Sequence, residues 1–250
     1  MRRFAIAPDR IVAGRIAFDP LESRHLSRAL RLRPGDTVVA SDGAGHEYTV
    51  RLDEVGARAI GTVLGSARPT LTESPLAVTL LQGVPKGDKM DGIVRAATEL
   101  GVVRIQPVLT ARTVVRLTAS AAAQRAQRWQ RVAREAAKQC GRAVVPEVGT
   151  PAPLASCLEA AGADELAICF WEAGAPPLAG VLQDAGAPRR ARVLIGPEGG
   201  LDPDEVERAR GAGWRIAGLG ARILRTETAA PAVLAILQSR FGDVGRDAGR

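Results

Sequence analysis

The apolar residues of this chain change rhythm near residue 75. Before that point the runs are short and partly alternating: RIAFD (15–19), the two halves of DTVVASDGAGHEYTVRL (36–52), and RAIGTVLG (58–65). A period of two predicts strands with one buried face. Asp42-Gly43, followed by Gly45, predicts a hairpin turn between the two halves. Short strands at this spacing predict a small β-barrel. One helical pattern interrupts them over residues 20–32, with Leu26, Ala29 and Leu30 expected to face inward. Residues 66–75, SARPTLTESP, are polar and carry prolines, which predicts a linker.

Beyond the linker, buried-strand runs alternate with helical periodicity. LAVTLLQG (76–83) reads as a strand, and residues 88–101 as a helix with Met90, Ile93, Val94, Ala97 and Leu100 on one side and Gly101 as its stop. Residues 103–109 form the next strand. Residues 123–142 form a long helix with an apolar stripe of Trp129, Val132, Ala133, Ala136 and Cys140. A helix at 153–161, a strand at 165–171, a helix at 177–185 and a strand at 191–196 follow. Asp202, Pro203 and Glu205 then supply a cap, a first-position proline and a capping box for another helix. After a strand at 214–220, a last helix begins near Thr226 to Thr228 and runs to about Phe241, with Pro231 expected in its first turn. Strand-helix-strand alternation predicts an α/β domain with a parallel sheet. The expected domains are residues 1–68 and 75–250.

A chain of 250 residues with 46% hydrophobic and 3% aromatic residues builds its core from Ala, Val, Leu and Ile. Lys+Arg of 34 against Asp+Glu of 27 leaves a formal charge of +7, and every cation but Lys86, Lys89 and Lys138 is arginine. Arginine pairs bidentately with phosphate, so the excess favours a polyanionic partner, although an Arg-rich solvated surface has the same composition. Arg24, Arg28 and Arg31 follow i, i+4, i+7 spacing, which places three guanidiniums on one helix face for a phosphate backbone. Cys140, Cys157 and Cys169 are an odd count without C-x-x-C spacing, and His25 and His46 are the only histidines, so neither a disulfide framework nor a metal site is expected. No apolar run reaches membrane-spanning length, and the opening MRRFAIAPDR has no long apolar core; a cytoplasmic location is expected.

Two glycine-rich turns carry the candidate chemistry. The strand at 191–196 exits into PEGGL and the strand at 214–220 into ARILRTETAA. Ligands of open α/β sheets bind at the carboxyl ends of strands. Gly218-Leu219-Gly220 begins like a dinucleotide fingerprint but lacks its third glycine, and Gly196–Gly200 lacks the Lys-Ser/Thr of a P-loop. Gly196, Gly199, Gly200, Leu219, Gly220, Ile223 and Leu224 offer backbone and apolar surface for a small adenosine compound. On spacing alone, ordinary tight turns are the favoured reading.

Longer segments carry a resemblance. HLSRALRLRPGD (25–36), KGDKMDGIVRAATELGV (86–102), the stretch around Arg112, RWQRVAREAAKQCGRAVVPEV (128–148), IGPEGGL (195–201), LGARILRTETA (219–229) and LQSRFGD (237–243) together resemble the 16S ribosomal RNA uridine-N3 methyltransferases of the RsmE type, within the SPOUT class of S-adenosylmethionine-dependent enzymes. Ala111 departs from the pattern, which has an acidic residue there. The resemblance implies a SPOUT-type C-terminal domain with a parallel sheet and a deep trefoil knot, preceded by a PUA-like β-barrel that binds RNA. It implies that S-adenosylmethionine lies bent against Leu194, Ile195, Gly196, Gly199, Gly200, Leu219, Gly220, Ile223 and Leu224, without a metal. It further implies a homodimer acting on a uridine in the decoding region of 16S rRNA, within the assembled small ribosomal subunit.

The chemistry follows from N3 of uridine, whose lone pair is available only once its proton leaves. An enzyme answers with a base, a cation beside the developing anion, or both. Arg225 is the candidate cation. Glu198 and Glu227 are candidate proton acceptors, Glu227 doubling as a helix-start carboxylate. Arg142 is a candidate RNA contact. A ribose 2′-O-methyltransferase and a non-catalytic ribosome-assembly protein are the alternatives; a dinucleotide oxidoreductase is contradicted by the missing glycine.

Overall fold

The computed structural model describes residues 3–67, 73–162 and 164–246. The chain packs as two units, Met1–Glu73 with Arg134–Val145, and Ser74–Ala133 with Pro146–Arg250.

The first unit is a six-stranded sheet built from β1 (Arg3–Ala5), β2 (Ile11–Val12), β3 (Arg15–Ala17), β4 (Thr37–Ser41), β5 (Glu47–Glu54) and β6 (Ile60–Ala67), in the order β1-β4-β5-β6-β3-β2. Only the β1–β4 pair is parallel. The β5–β6 register shifts between Thr49 and Val50 and again between Leu52 and Glu54. Such shifts bend a strand and sharpen its twist, so the sheet curls around Phe4, Ile16, Phe18, Leu26, Val38 and Val50. The expected Asp42-Gly43 turn joins β4 to β5, and its Gly43 and Gly45 backbones hydrogen-bond Val145 and Ala143.

The helix expected over 20–32 is shorter and uneven. Asp19 caps α1 (Pro20–Arg24) by accepting the N–H groups of Leu21 and Glu22, both at 2.8 Å. The chain then widens into a π-turn over His25–Ala29, closed by the Leu30 N–H on the His25 carbonyl. Leu26 is buried and Leu30 half-buried, but Ala29 is exposed, contrary to expectation, because the wider turn rotates it outward. Arg31 lies beyond the helix with φ +52.

Residues 68–72 of the expected linker lie outside the described residues. Glu73 is anchored by Arg142, whose Nε donates to both its oxygens at 3.2 and 3.0 Å. Lys138 likewise reaches the buried Glu22 at 2.6 and 2.7 Å. These pairings draw residues 134–145 into the first unit, whereas their place in the chain assigns them to the C-terminal domain.

The second unit contains β7 (Ala77–Gly83), α2 (Lys89–Glu99), β8 (Val102–Leu109), the start of α3 (Ala119–Cys140), β9 (Glu147–Val148), β10 (Ala152–Pro153), β11 (Glu165–Phe170), α4 (Leu178–Gln183), β12 (Arg190–Ile195), α5 (Pro203–Gly211), β13 (Arg215–Ala217) and α6 (Thr226–Phe241). The sheet runs β10-β8-β7-β12-β11-β13, β9 pairs with β8, and every pair is parallel. On one side its core gathers Leu81, Val108, Cys169, Leu194, Val206 and Trp214.

Two expectations fail here. The helix at 153–161 is a single tight turn, Leu154–Ser156. The Ala161 N–H, which a helix would close on the Cys157 carbonyl, donates instead to Ala212 at 3.0 Å, and Trp214 and Arg192 hold the neighbouring Glu159 and Ala160 carbonyls. Pro231 falls in the second turn of α6 rather than the first. It removes only the hydrogen bond that would end on the Glu227 carbonyl, and packing of the buried Ala230, Val233, Leu234 and Leu237 carries the helix through. Among the described residues no helix is long and apolar enough to cross a membrane.

Candidate active site

Neighbouring strands β7, β12, β11 and β13 all end on the same edge of the sheet, as parallel strands must. The turns that leave β12, β11 and β13, together with the start of α6, enclose a cavity of about 390 Å³. Its floor is Ile195 and Ala217; its walls are the 196–200 turn, the 218–224 turn and the stretch after β11 that contains Trp171 and Glu172.

Glycine is required here first by the chain's own close approaches. A Cβ on Gly83 would stand 2.5 Å from the Pro197 nitrogen and 2.8 Å from the Gly196 carbonyl carbon. A Cβ on Gly196 would stand 2.9 Å from the Gly200 carbonyl carbon, because the turn folds back through a Gly200 N–H to Pro197 O bond of 2.9 Å. Gly200 has φ +70 and abuts the Glu172 carboxylate. Main chain therefore forms much of the cavity wall.

Three attachments hold these turns. Thr226, buried at the start of α6, donates to the Gly196 carbonyl at 2.7 Å and accepts from Gln82 Nε2 at 2.9 Å. Arg112 donates to the Gly199 carbonyl at 3.0 Å and lies 3.6 Å from Asp202. Glu205 accepts the Asp202 N–H at 3.0 Å and the Ala111 N–H at 2.8 Å. The backbone of Ala111 thus fastens its segment to the start of α5.

The rim is charged. Lys89 Nζ lies 2.9 Å from Glu198 Oε1 and 3.7 Å from Glu227 Oε2. Burial alone pushes the Glu198 carboxyl up, but the hydrogen bond from Lys89, the N–H groups of Glu198 and Lys86, and the lysine charge together hold it below its ordinary value of 4.5. The same hydrogen bond raises the Lys89 ammonium against the opposing effect of desolvation. Arg225 sits exposed at the N-cap of α6.

Of the residues expected at a cofactor, Ile195, Gly196, Gly200, Leu219, Gly220, Ile223 and Leu224 line the cavity, joined by Glu198. Leu194 does not; it is fully buried in the sheet core. Gly199 does not line the cavity either; its carbonyl accepts from Arg112, and a Cβ there would stand 3.2 Å from the Arg112 Cβ. Arg225 and Glu227 flank the lining residue Thr226 without lining the cavity themselves. The stretch from Phe170 to Pro177, Lys89, Gln82 and Thr226 were missed. Lys89 lies within the 86–102 segment, and Thr226 within the 219–229 segment, but only the fold brings them together.

The arginines divide. Arg24, Arg28 and Arg31 are exposed, although the π-turn and the left-handed Arg31 break their expected single helical face. Arg142 is 5% exposed and bound to Glu73, so its guanidinium presents no surface to a phosphate.

Residues 72–238 match the RNA methyltransferase domain model, and residues 19–60 the RNA methyltransferase PUA domain model. The ribosomal RNA small subunit methyltransferase E of Synechocystis sp. is 33% identical over 236 residues, covering 93% of this chain and 76% of that protein. Its counterpart in Bacillus subtilis is 32% identical over 213 residues, 83% of each. The crystal structure of the Neisseria gonorrhoeae ribosomal RNA small subunit methyltransferase E bound to S-adenosyl methionine superposes with a TM-score of 0.86 at 34% identity, covering 98% of this chain and 99% of that one.

Proposed function

The chain belongs to the ribosomal RNA small subunit methyltransferase E family, and on that premise we propose that it methylates N3 of a uridine in the decoding region of 16S rRNA. It is an S-adenosylmethionine-dependent rRNA methyltransferase of mixed α/β SPOUT architecture with a PUA-like N-terminal domain. The observation that carries the reading is the cavity between the 196–200 and 218–224 turns, whose walls are largely main chain and glycine. Backbone donors and acceptors with apolar neighbours suit an uncharged adenine ring. Bound there, S-adenosylmethionine supplies a sulfonium-activated methyl group and needs no metal.

The chain's own groups then have three tasks. Ile195, Gly196, Gly200, Leu219, Gly220, Ile223 and Leu224 hold the donor, while Gly199 and Leu194 support the turns from behind. Arg225, beside the cavity, stabilises the negative charge that spreads to O2 and O4 as N3 loses its proton. A rim carboxylate, Glu198 or Glu227, takes that proton. Arg24, Arg28 and Arg31 contact rRNA phosphates from the N-terminal unit. Ile223 is 83% exposed at the rim, and a large apolar side chain there supports a homodimer in which a second copy covers the site. The deep knot belongs to the same reading, with the segment leading into α6 threaded beneath a loop. The enzyme works in the cytoplasm on the assembled small subunit.

Nucleoside analysis of small-subunit rRNA from a deletion strain tests this. N3-methyluridine should be lost and should return when the gene is restored. Loss of a 2′-O-methylated nucleoside instead, or of none, overturns the assignment.

A further inference from the structure

Lys89 opens α2, and its ammonium stands between carboxylates from two other parts of the chain, the 196–200 turn and the first turn of α6. The two are bonded unequally. Glu198 receives the Lys86 N–H on both oxygens, at 3.0 and 3.3 Å, as well as the lysine at 2.9 Å. Glu227 faces the lysine only at ion-pair distance, and its buried Oε2 has no hydrogen-bond partner among the described residues. It adjoins Thr226, which lines the cavity.

We propose that Lys89 is a positioning residue that gives the two rim carboxylates different tasks: Glu198 neutralises and anchors the lysine, and the under-bonded Glu227 takes the proton from the target base. The proposal rests on the uridine-N3 reading and chooses between the two acceptors which that reading leaves open. A carboxylate engaged by a lysine and a backbone N–H has few lone pairs left and is a poor base. The lowered Glu198 carboxyl accords with this. Glu227 keeps a free oxygen for a proton because the nearer Glu198 takes the lysine hydrogen bond and most of its charge. The other charged side chains around this site are Arg225, at the start of the same helix, and Glu172 and Arg222, which line the cavity.

The step balances. The N3–H bond breaks and its proton goes to a Glu227 oxygen. The freed N3 pair forms the bond to the methyl carbon, and the carbon–sulfur pair remains on sulfur as the bond breaks. The products are N3-methyluridine and S-adenosylhomocysteine, and Glu227 afterwards releases its proton to water.

Removing the lysine leaves two carboxylates facing each other, so Glu227 holds its proton to higher pH. Removing Glu198 turns the lysine wholly to Glu227, which then titrates lower. The experiment measures methyl transfer to unmodified small subunits against pH, and titrates the labelled Glu227 carboxyl of the free protein by NMR. Glu227→Gln should lose about 100-fold or more in kcat with S-adenosylmethionine affinity unchanged. Lys89→Met should move the acidic limb of the profile and the Glu227 titration upward by about one pH unit. Glu198→Gln should move both downward, and Lys89→Arg should restore the wild-type profile. Full kcat in Glu227→Gln, or a Lys89→Met variant whose limb and titration stay in place, overturns the proposal. If the wild-type protein yields no N3-methyluridine, the underlying reading fails instead.

Discussion

The Thr226 hydroxyl donates a 2.7 Å hydrogen bond to the Gly196 carbonyl, tying the first residue of α6 to the first residue beyond β12. Gln82, fully buried on β7, completes the tie from beneath by donating to the same hydroxyl. Three segments distant in sequence are thereby fixed around one side of the cavity.

Breaking that tie has a predictable cost. Thr226→Val keeps the shape but strands the Gly196 carbonyl and one Gln82 N–H, each worth about 1–3 kcal/mol when buried without a partner. The variant should unfold at lower temperature and bind S-adenosylmethionine more weakly, as scanning and titration calorimetry on the same preparation will read.

The glycines should separate into two kinds. Gly83→Ala and Gly196→Ala bring a Cβ within 3 Å of backbone that cannot move aside. Each should lower stability by about 1–3 kcal/mol and weaken cofactor binding. Gly92→Ala, inside α2 with no atom within 4 Å of its new Cβ, should instead stabilise by about 0.4–1 kcal/mol and leave binding alone. Urea unfolding of the three variants decides this.

The arginines should divide as their burial does. Converting Arg24, Arg28 and Arg31 to Gln should weaken rRNA binding and flatten its dependence on salt by about one unit of slope for each phosphate that is no longer neutralised, without altering the melting temperature. Arg142→Gln should do the reverse, destabilising the protein while leaving the salt slope unchanged, because Arg142 is occupied with Glu73.

The cysteines offer a pH test. Burial, then the charges of Glu205 and Glu172, push the Cys169 thiol up to about 12 from its ordinary 9.0, against the opposing charge of Arg210. Its folded value lies above its unfolded one. The stabilisation is therefore complete below pH 9 and is lost as pH rises through the folded value. At pH 8 a thiol reagent should modify the half-buried Cys140 and Cys157 and spare Cys169 until the protein is unfolded. Mass spectrometry of the labelled peptides gives the count.

Local patterning carried much of the fold. The strand at β7, the cap-proline-glutamate start of α5 and the limits of α6 all follow from signals within a few residues. Where a distant group intervenes, the local pattern misleads. Residues 153–161 have helical spacing, yet the Ala161 N–H pairs with the distant Ala212 carbonyl, and Arg192 and Trp214 hold the end of the segment from across the unit. Leu194 sits beside the 196–200 turn by sequence, but the strand's alternation sends it into the core. The site was legible as two glycine turns because each is contiguous. Lys89, Gln82 and the stretch after β11 were not, since they join the site only through the sheet order and the packing of α2. The assignment of residues 134–145 to the first unit escaped for the same reason: it depends on Lys138 and Arg142 meeting Glu22 and Glu73.

The most direct test is a crystal structure of the protein grown with S-adenosylmethionine. The adenosine should lie between the 196–200 and 218–224 turns, with its ring edge bonded to main-chain atoms and its methyl group directed toward the Arg225 side of the rim. Electron density for the cofactor elsewhere, with both turns empty, would contradict the account.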